Sequence, residues 1–174
     1  MKEIEKILID EKTIKGKVKE LAKKISKDYK GKDLILVGIL KGAIVFLSDL
    51  IREIDIPVSI DLIQVSSYGA STTSTGAIKL VKDIEIDIEG KDVLIVEDIV
   101  DFGYTLDYLL KYLGSKRPRT VGICVLFDKI PRRKIEVPLK YKGFDVPDKF
   151  LVGYGLDYAD KYRNLPYIAV FKEA

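Results

Sequence analysis

Apolar residues fall into two kinds of run along this chain. Ile14, Val18, Leu21, Ala22, Ile25 and Tyr29 recur at the spacing of one helical face, and Gly31 follows as a stop signal. Leu34 to Ile39, Val93 to Val96 and Val121 to Phe127 are unbroken apolar stretches, the pattern of strands buried on both faces. Short helices are predicted over Ala43 to Glu53 and Thr105 to Leu113. Val58 to Val65 has strand composition, and Ile78 to Val81 is a second short run. Phe150 to Val152 and Ile168 to Phe171 supply two late strands. Strands alternating with helices predict an α/β fold with a central, mainly parallel sheet and helices on both faces. The extra hairpin around Ser66 and the late strands would decorate that core, with a small hood and a mobile loop beside the sheet. Ser66 to Gly76, SSYGASTTSTG, has no aliphatic anchor larger than alanine, so an exposed mobile loop is expected there. The whole chain, 1–174, reads as one domain.

Composition narrows the chemistry. Hydrophobic content of 47% with 33% charged residues describes a soluble globular protein, and no apolar run approaches the length needed to span a bilayer. The N-terminal segment lacks the features of a secretory signal, so cytoplasmic residence is the expectation. A lone cysteine, Cys124, lies inside the apolar run VGICVLF; it excludes a disulfide framework and reads as a buried, inert thiol. Net charge is +3 and the basic residues are dispersed, which argues against nucleic acid as the main partner. The chain has no histidine. That removes the commonest general base, the triads that need an imidazole and most zinc sites. Acid–base chemistry must then use carboxylates, lysines or tyrosines, and any metal should be a hard ion held by oxygen, magnesium foremost.

Candidate chemistry concentrates in VLIVEDIVDFGYTL, Val93 to Leu106. The apolar run meets Glu97 and Asp98, and Asp101 follows. Parallel α/β sheets place ligands at the carboxyl ends of their strands, and unpaired carboxylates are costly in a core. On a continuing strand Glu97 and Asp98 would point to opposite faces, whereas on a loop curling away from Val96 both can address one ligand. Two adjacent carboxylates suit the paired hydroxyls of a ribose. Phe102, Gly103, Tyr104 and Thr105 then form a turn into a helix, whose free N–H groups and positive dipole end suit a phosphate. A ribose site followed by a phosphate site predicts a ribose phosphate.

EDIVDFGYTL resembles the phosphoribosyl-pyrophosphate signature of type I phosphoribosyltransferases. LKGA at Leu40 to Ala43, SSYG at Ser66 to Gly69, Asp128-Lys129 and the long block Pro147 to Ile168 are similar to hypoxanthine–guanine phosphoribosyltransferases, in that family's order. The resemblance implies the type I phosphoribosyltransferase fold and transfer of phosphoribose to a 6-oxopurine. By the same resemblance, Glu97 and Asp98 would bind the ribose hydroxyls, partly through Mg2+, and Asp157 would hold a second magnesium. Asp101 would exchange a proton with N7 of the purine. The Phe102 to Thr105 turn would hold the 5′-phosphate. Lys41 and Gly42, in a turn where the family often has a non-proline cis peptide, would meet the pyrophosphate together with Arg163. Ser67 and Tyr68 belong to the loop that would close over the reaction. Lys129 would donate to the 6-oxo group, Phe150 would stack on the purine, and Leu151 and Asp157 would border its other edge. A homodimer or homotetramer is implied, with small molecules rather than membrane or nucleic acid as partners.

Phe102 departs from that pattern, since the family usually has a small hydroxyl residue there that contacts the 5′-phosphate. Phenylalanine cannot donate a hydrogen bond. Either phosphoribosyl-pyrophosphate binding is weakened or a rotated ring shields the site; backbone donors and Thr105 could also suffice. Three alternatives to the salvage enzyme stand beside it: a xanthine-preferring transferase, a nucleotide- and RNA-binding regulator of the same fold, and a sugar-phosphate-binding module made inactive by Phe102. The Arg132 to Lys134 run reads as a solvated turn.

Overall fold

The computed structural model describes residues 3–67 and 78–172. Its strands and helices follow the order β1 (Ile4–Ile9), α1 (Glu11–Asp28), β2 (Leu34–Ile39), α2 (Ala43–Glu53), β3 (Val58–Ser67), β4 (Ile78–Lys82), β5 (Asp92–Val100), α3 (Tyr104–Gly114), β6 (Thr120–Asp128), β7 (Tyr141–Asp145), β8 (Leu151–Val152) and β9 (Ile168–Phe171). A 3-10 turn, Ile130–Arg132, follows β6. Six strands form the main sheet in the order β4-β3-β2-β5-β6-β7. All its pairs are parallel except β3 with β4. A second, antiparallel sheet of β1, β9 and β8 makes the hood. The fold is α/β, as the pattern predicts.

The unbroken apolar runs are explained by what lies on each face. Leu34, Leu36, Leu94, Val96, Cys124 and Leu126 point into one core, with α1 and α2. Their neighbours Ile35, Val37, Val93, Ile95, Ile123 and Val125 point into the other, with Leu106, Leu109 and Leu113 of α3. Every second residue serves one face, and both faces are covered, so no position is left for a polar side chain. Asp10 caps α1 by accepting the Thr13 N–H at 2.7 Å, satisfying one of the free donors of the first turn. Burial pushes the Cys124 thiol far above its ordinary range, as an inert core cysteine requires.

Three features differ from the sequence reading. First, β5 does not end at Val96. Its pairing with β6 continues through Glu97↔Val125 and Ile99↔Phe127 to Val100↔Asp128, so the acid pair sits on the strand itself. Second, β1 and β7 are additional strands: IEKILI pairs with β9 as the edge of the hood, and YKGFD pairs with β6 as an edge of the main sheet. Edge strands carry polar residues on their open sides, so their apolar signal is weak. Third, Ser66 and Ser67 extend β3 and pair with Lys79 and Ile78. The rest of the expected mobile loop, with Tyr68, lies outside the described residues. Among these residues no helix is long and apolar enough to cross a membrane.

Candidate active site

A cavity of about 400 Å³ opens over the carboxyl ends of β2 and β5 and is flanked by the start of β8. Because it lies above the sheet edge, side chains leaving either face of β5 reach it, and Glu97, Asp98, Ile99 and Asp101 all line it. Both Glu97 and Asp98 are buried. The Asp98 N–H donates to Glu97 Oε1 at 3.1 Å, and the Ile99 N–H donates to Asp98 Oδ1 at 2.7 Å. Burial, then the neighbouring Asp98 charge, pushes the Glu97 carboxyl well above its ordinary value. Burial also raises Asp98, against the opposing field of Arg163. Two buried acids that resist ionisation together form a site short of positive charge. The donor set is all hard oxygen, which fits magnesium held by one or two carboxylates and completed by ligand oxygens. Among the described residues no cluster of three metal-binding side chains occurs. Asp157, the residue expected to hold a second metal, is engaged by Arg163 at 2.7 Å.

The turn after β2 also lines the cavity and abuts Asp98. The Leu40–Lys41 peptide bond is cis. Gly42 sits so tightly that a Cβ there would lie 1.9 Å from Asp98 Oδ2. Gly155, in the left-handed region at φ 98°, backs onto the Gly42 carbonyl, where a Cβ would lie 2.1 Å from the oxygen. Arg163 donates to the Gly155 carbonyl at 2.7 Å as well as pairing with Asp157. Lys41 Nζ, on an exposed side chain, reaches Asp160 at 3.0 Å. Lys41, Gly42 and Arg163 therefore share one end of the cavity, joined through Gly155 and the Asp157–Asp160 turn.

Asp101 and Lys129 lie side by side. Lys129 Nζ is 3.1 Å from Asp101 Oδ1, and the lysine is almost fully enclosed. Phe150 also lines the cavity, 39% exposed, with its ring edge-on to Tyr158. Leu151 beside it is buried. Thr105 lines the cavity from the first turn of α3, whose N-terminus has no side-chain cap.

Phe102, Gly103 and Tyr104 do not line the cavity, unlike the rest of their turn. The Phe102 ring is turned out, 36% exposed, with the Arg132 guanidinium 5.8 Å from its centroid. The Phe102 carbonyl accepts the N–H groups of Lys134 and Ile135, both at 3.0 Å. Gly103 has φ 95°, and a Cβ there would meet the Ile135 carbonyl oxygen at 2.5 Å. The segment after Lys129 is thus clamped along the turn by its backbone; Arg132 and Lys134 stay exposed, as a solvated turn predicts, and only Arg133 departs from that reading. Arg133 forms a buried ion pair with Asp128 and also reaches the Asp101 carbonyl at 3.4 Å. Arg132 lines the cavity. The side chain of Ser67 and all of Tyr68 lie outside the described residues. Leu40, Val65 and Leu156 also line the cavity; they are single apolar residues, and nothing in the sequence separates them from core.

A parallel sheet with paired acids at the end of its central strand, beside a glycine turn into a helix, is the architecture of a phosphoribosyl transferase domain. That family matches residues 6–159. The hypoxanthine-guanine phosphoribosyltransferase of Bacillus subtilis is 47% identical over 172 residues, covering 99% of this chain and 96% of its own. The hypoxanthine phosphoribosyltransferase of Escherichia coli K12 is 45% identical over 170 residues, covering 97% and 96%. A crystal structure of the Staphylococcus aureus hypoxanthine phosphoribosyltransferase superposes with a TM-score of 0.95 at 47% identity, covering 98% of this chain and 93% of that one. This chain belongs to the hypoxanthine–guanine phosphoribosyltransferases of that family.

Proposed function

We propose that this chain transfers the 5-phosphoribosyl group from phosphoribosyl pyrophosphate to hypoxanthine or guanine, forming IMP or GMP and pyrophosphate in purine salvage. The observation that carries the reading is one cavity lined by both the Glu97–Asp98 pair and the Asp101–Lys129 pair. A 6-oxopurine presents an acceptor, O6, beside a donor, N7–H. Lys129 is donor-only and Asp101 is acceptor-only, so the pair matches that edge. A 6-amino group would face the ammonium donor to donor and be rejected. Phe150 stacks on the base, with Leu151 and Asp157 along its far edge.

At the sugar, Glu97 and Asp98 accept the ribose hydroxyls and favour positive charge developing at the anomeric carbon. The α3 N-terminus, through Gly103, Tyr104 and Thr105, takes the 5′-phosphate. Lys41, the Gly42 backbone and Arg163 neutralise the departing pyrophosphate. Mg2+, held by Glu97 and Asp98 with Asp157 serving a second ion, would add charge neutralisation at the same oxygens. Asp101 accepts the N7 proton as the glycosidic bond forms. Ser67 and Tyr68 belong to a loop that closes over the substrates and excludes water. The reading makes the chain one domain of a cytoplasmic homodimer or homotetramer with small-molecule partners.

The test is to mix the chain with phosphoribosyl pyrophosphate, magnesium and each purine base, and to follow nucleotide and pyrophosphate formation. IMP and GMP should form, and AMP should not. A folded chain that makes neither IMP nor GMP removes the reading.

A further inference from the structure

Phe102 stands in the turn that would hold the 5′-phosphate, yet it does not line the cavity and its side chain can donate nothing. What the ring does hold is Arg132. The guanidinium carbon lies 5.8 Å from the ring centroid, a cation–π distance. Arg132 Nε pairs with Asp148 Oδ1 at 2.6 Å, and among the described residues that is the guanidinium's one partner. Nη1 and Nη2 therefore keep open donors, and the residue lines the cavity with Thr105. Its backbone is fixed too: the Arg132 N–H donates to the Lys129 carbonyl, and the next two N–H groups but one, of Lys134 and Ile135, close onto the Phe102 carbonyl. A cation placed by an aromatic face, a carboxylate and a clamped backbone is pre-positioned for an anion.

We propose that Arg132 is a phosphate-binding residue of this chain, held over the 5′-phosphate end of the site by the Phe102 ring, so that an arginine fork supplies the contact that the phenylalanine side chain cannot. The assignment rests on the phosphoribosyltransferase reading and deepens it. Phe102 is then a positioning residue, acting only through Arg132.

IMP and inosine differ by the 5′-phosphate alone, so calorimetric binding of both isolates the contact. Arg132→Ala should weaken IMP about tenfold, the scale of one charge-assisted hydrogen bond, and leave inosine unchanged. Phe102→Leu, which keeps apolar bulk but loses the ring face, should weaken IMP by a smaller factor in the parent and by nothing further in Arg132→Ala. Unchanged inosine binding also certifies that each variant is folded. Equal losses for IMP and inosine, no loss of IMP affinity, or additive losses in the double variant would overturn the proposal. A parent chain that forms no IMP from hypoxanthine removes the underlying reading. A parent that does form it, while Arg132→Ala binds IMP normally, removes only the role of Arg132.

Discussion

Asp101 Oδ1 lies 3.1 Å from Lys129 Nζ, yet that oxygen is sealed from solvent and accepts no hydrogen bond. The two charges neutralise each other without satisfying the acceptor. Such an arrangement is costly in a resting core and sensible in a site that awaits a donor.

The first prediction concerns that pair. Asp101→Asn keeps the shape but cannot take a proton, so turnover should fall by about 10²-fold or more, in the range of lost general-base catalysis, while IMP affinity changes little. Steady-state kinetics beside IMP titration separates the two. Equal losses in both would take Asp101 out of proton transfer.

Lys129→Gln tests the other partner. Glutamine carries both a donor and an acceptor and can turn its amide to meet a 6-amino purine. Discrimination between hypoxanthine and adenine, measured as the ratio of kcat/KM, should shrink by roughly tenfold or more, the weight of a buried polar mismatch. Unchanged selectivity would deny Lys129 its contact with the base.

Gly42→Ala should separate fold from function. Its backbone is helical in φ and ψ, so alanine carries no torsional strain there. The obstacle is Asp98, whose Oδ2 the new methyl would overlap at 1.9 Å. Asp98 must move, and displacement of about 1 Å in a positioning group costs about 10²-fold in rate. The expected result is a folded chain, by circular dichroism, with raised KM for phosphoribosyl pyrophosphate and much-reduced kcat. Full activity would mean that Asp98 has no fixed position to lose.

Much of this was legible in the sequence, and the misses have physical causes. β2, α2 and β9 match their predicted spans because a turn or charged residue stands within two positions of each end: Asp33 and Lys41, Gly42 and Asp55, Pro166 and Lys172. The strand boundary at Val96 failed because polarity is a poor stop signal where a strand runs into a ligand site; backbone pairing with β6 continues under Glu97 regardless. Asp101 and Lys129 are 28 positions apart and were both named, but their contact is tertiary, set by the Lys129 N–H bonding the Val100 carbonyl. Arg133 was misread as solvated, and Arg132, which is exposed, was not recognised as lining the cavity. Charge runs are usually solvated, and only the fold puts Asp128 beside one and the Phe102 ring beneath the other.

Cys124 gives a prediction about chemical labelling. The thiol is fully buried between the sheet and the α1–α2 layer, and burial raises its pKa, so almost no thiolate exists at neutral pH. Incubation of the native chain with iodoacetamide should leave both mass and activity unchanged, and labelling should appear only on denaturation. Modification at the rate of an exposed thiol would show that this core opens.

Glu97 carries the last prediction, a trade between stability and function. Its carboxyl is pushed well above the ordinary 4.5 by burial and by the Asp98 charge, while Asp98 is raised from 3.8 by burial. A raised carboxyl pKa means that the folded chain binds the proton more tightly than the unfolded chain does. Its contribution to stability is therefore complete below the ordinary value and is lost as pH climbs from there through the raised one. At neutral pH, free of metal and ligand, the pair is a net liability. Glu97→Gln removes one of the two competing charges at constant shape and should raise Tm by about 2–4 °C, the shift expected per 1 kcal/mol in a chain of this size. The difference from the parent isolates this group from all other titrations: it should shrink as pH falls toward 4 and widen toward 7. Magnesium with phosphoribosyl pyrophosphate should stabilise the parent more than the variant, and the variant should lose most of its transferase activity. A Tm difference that is flat with pH, or a variant less stable throughout, would mean that the acid pair is not held against its own repulsion for the sake of a ligand.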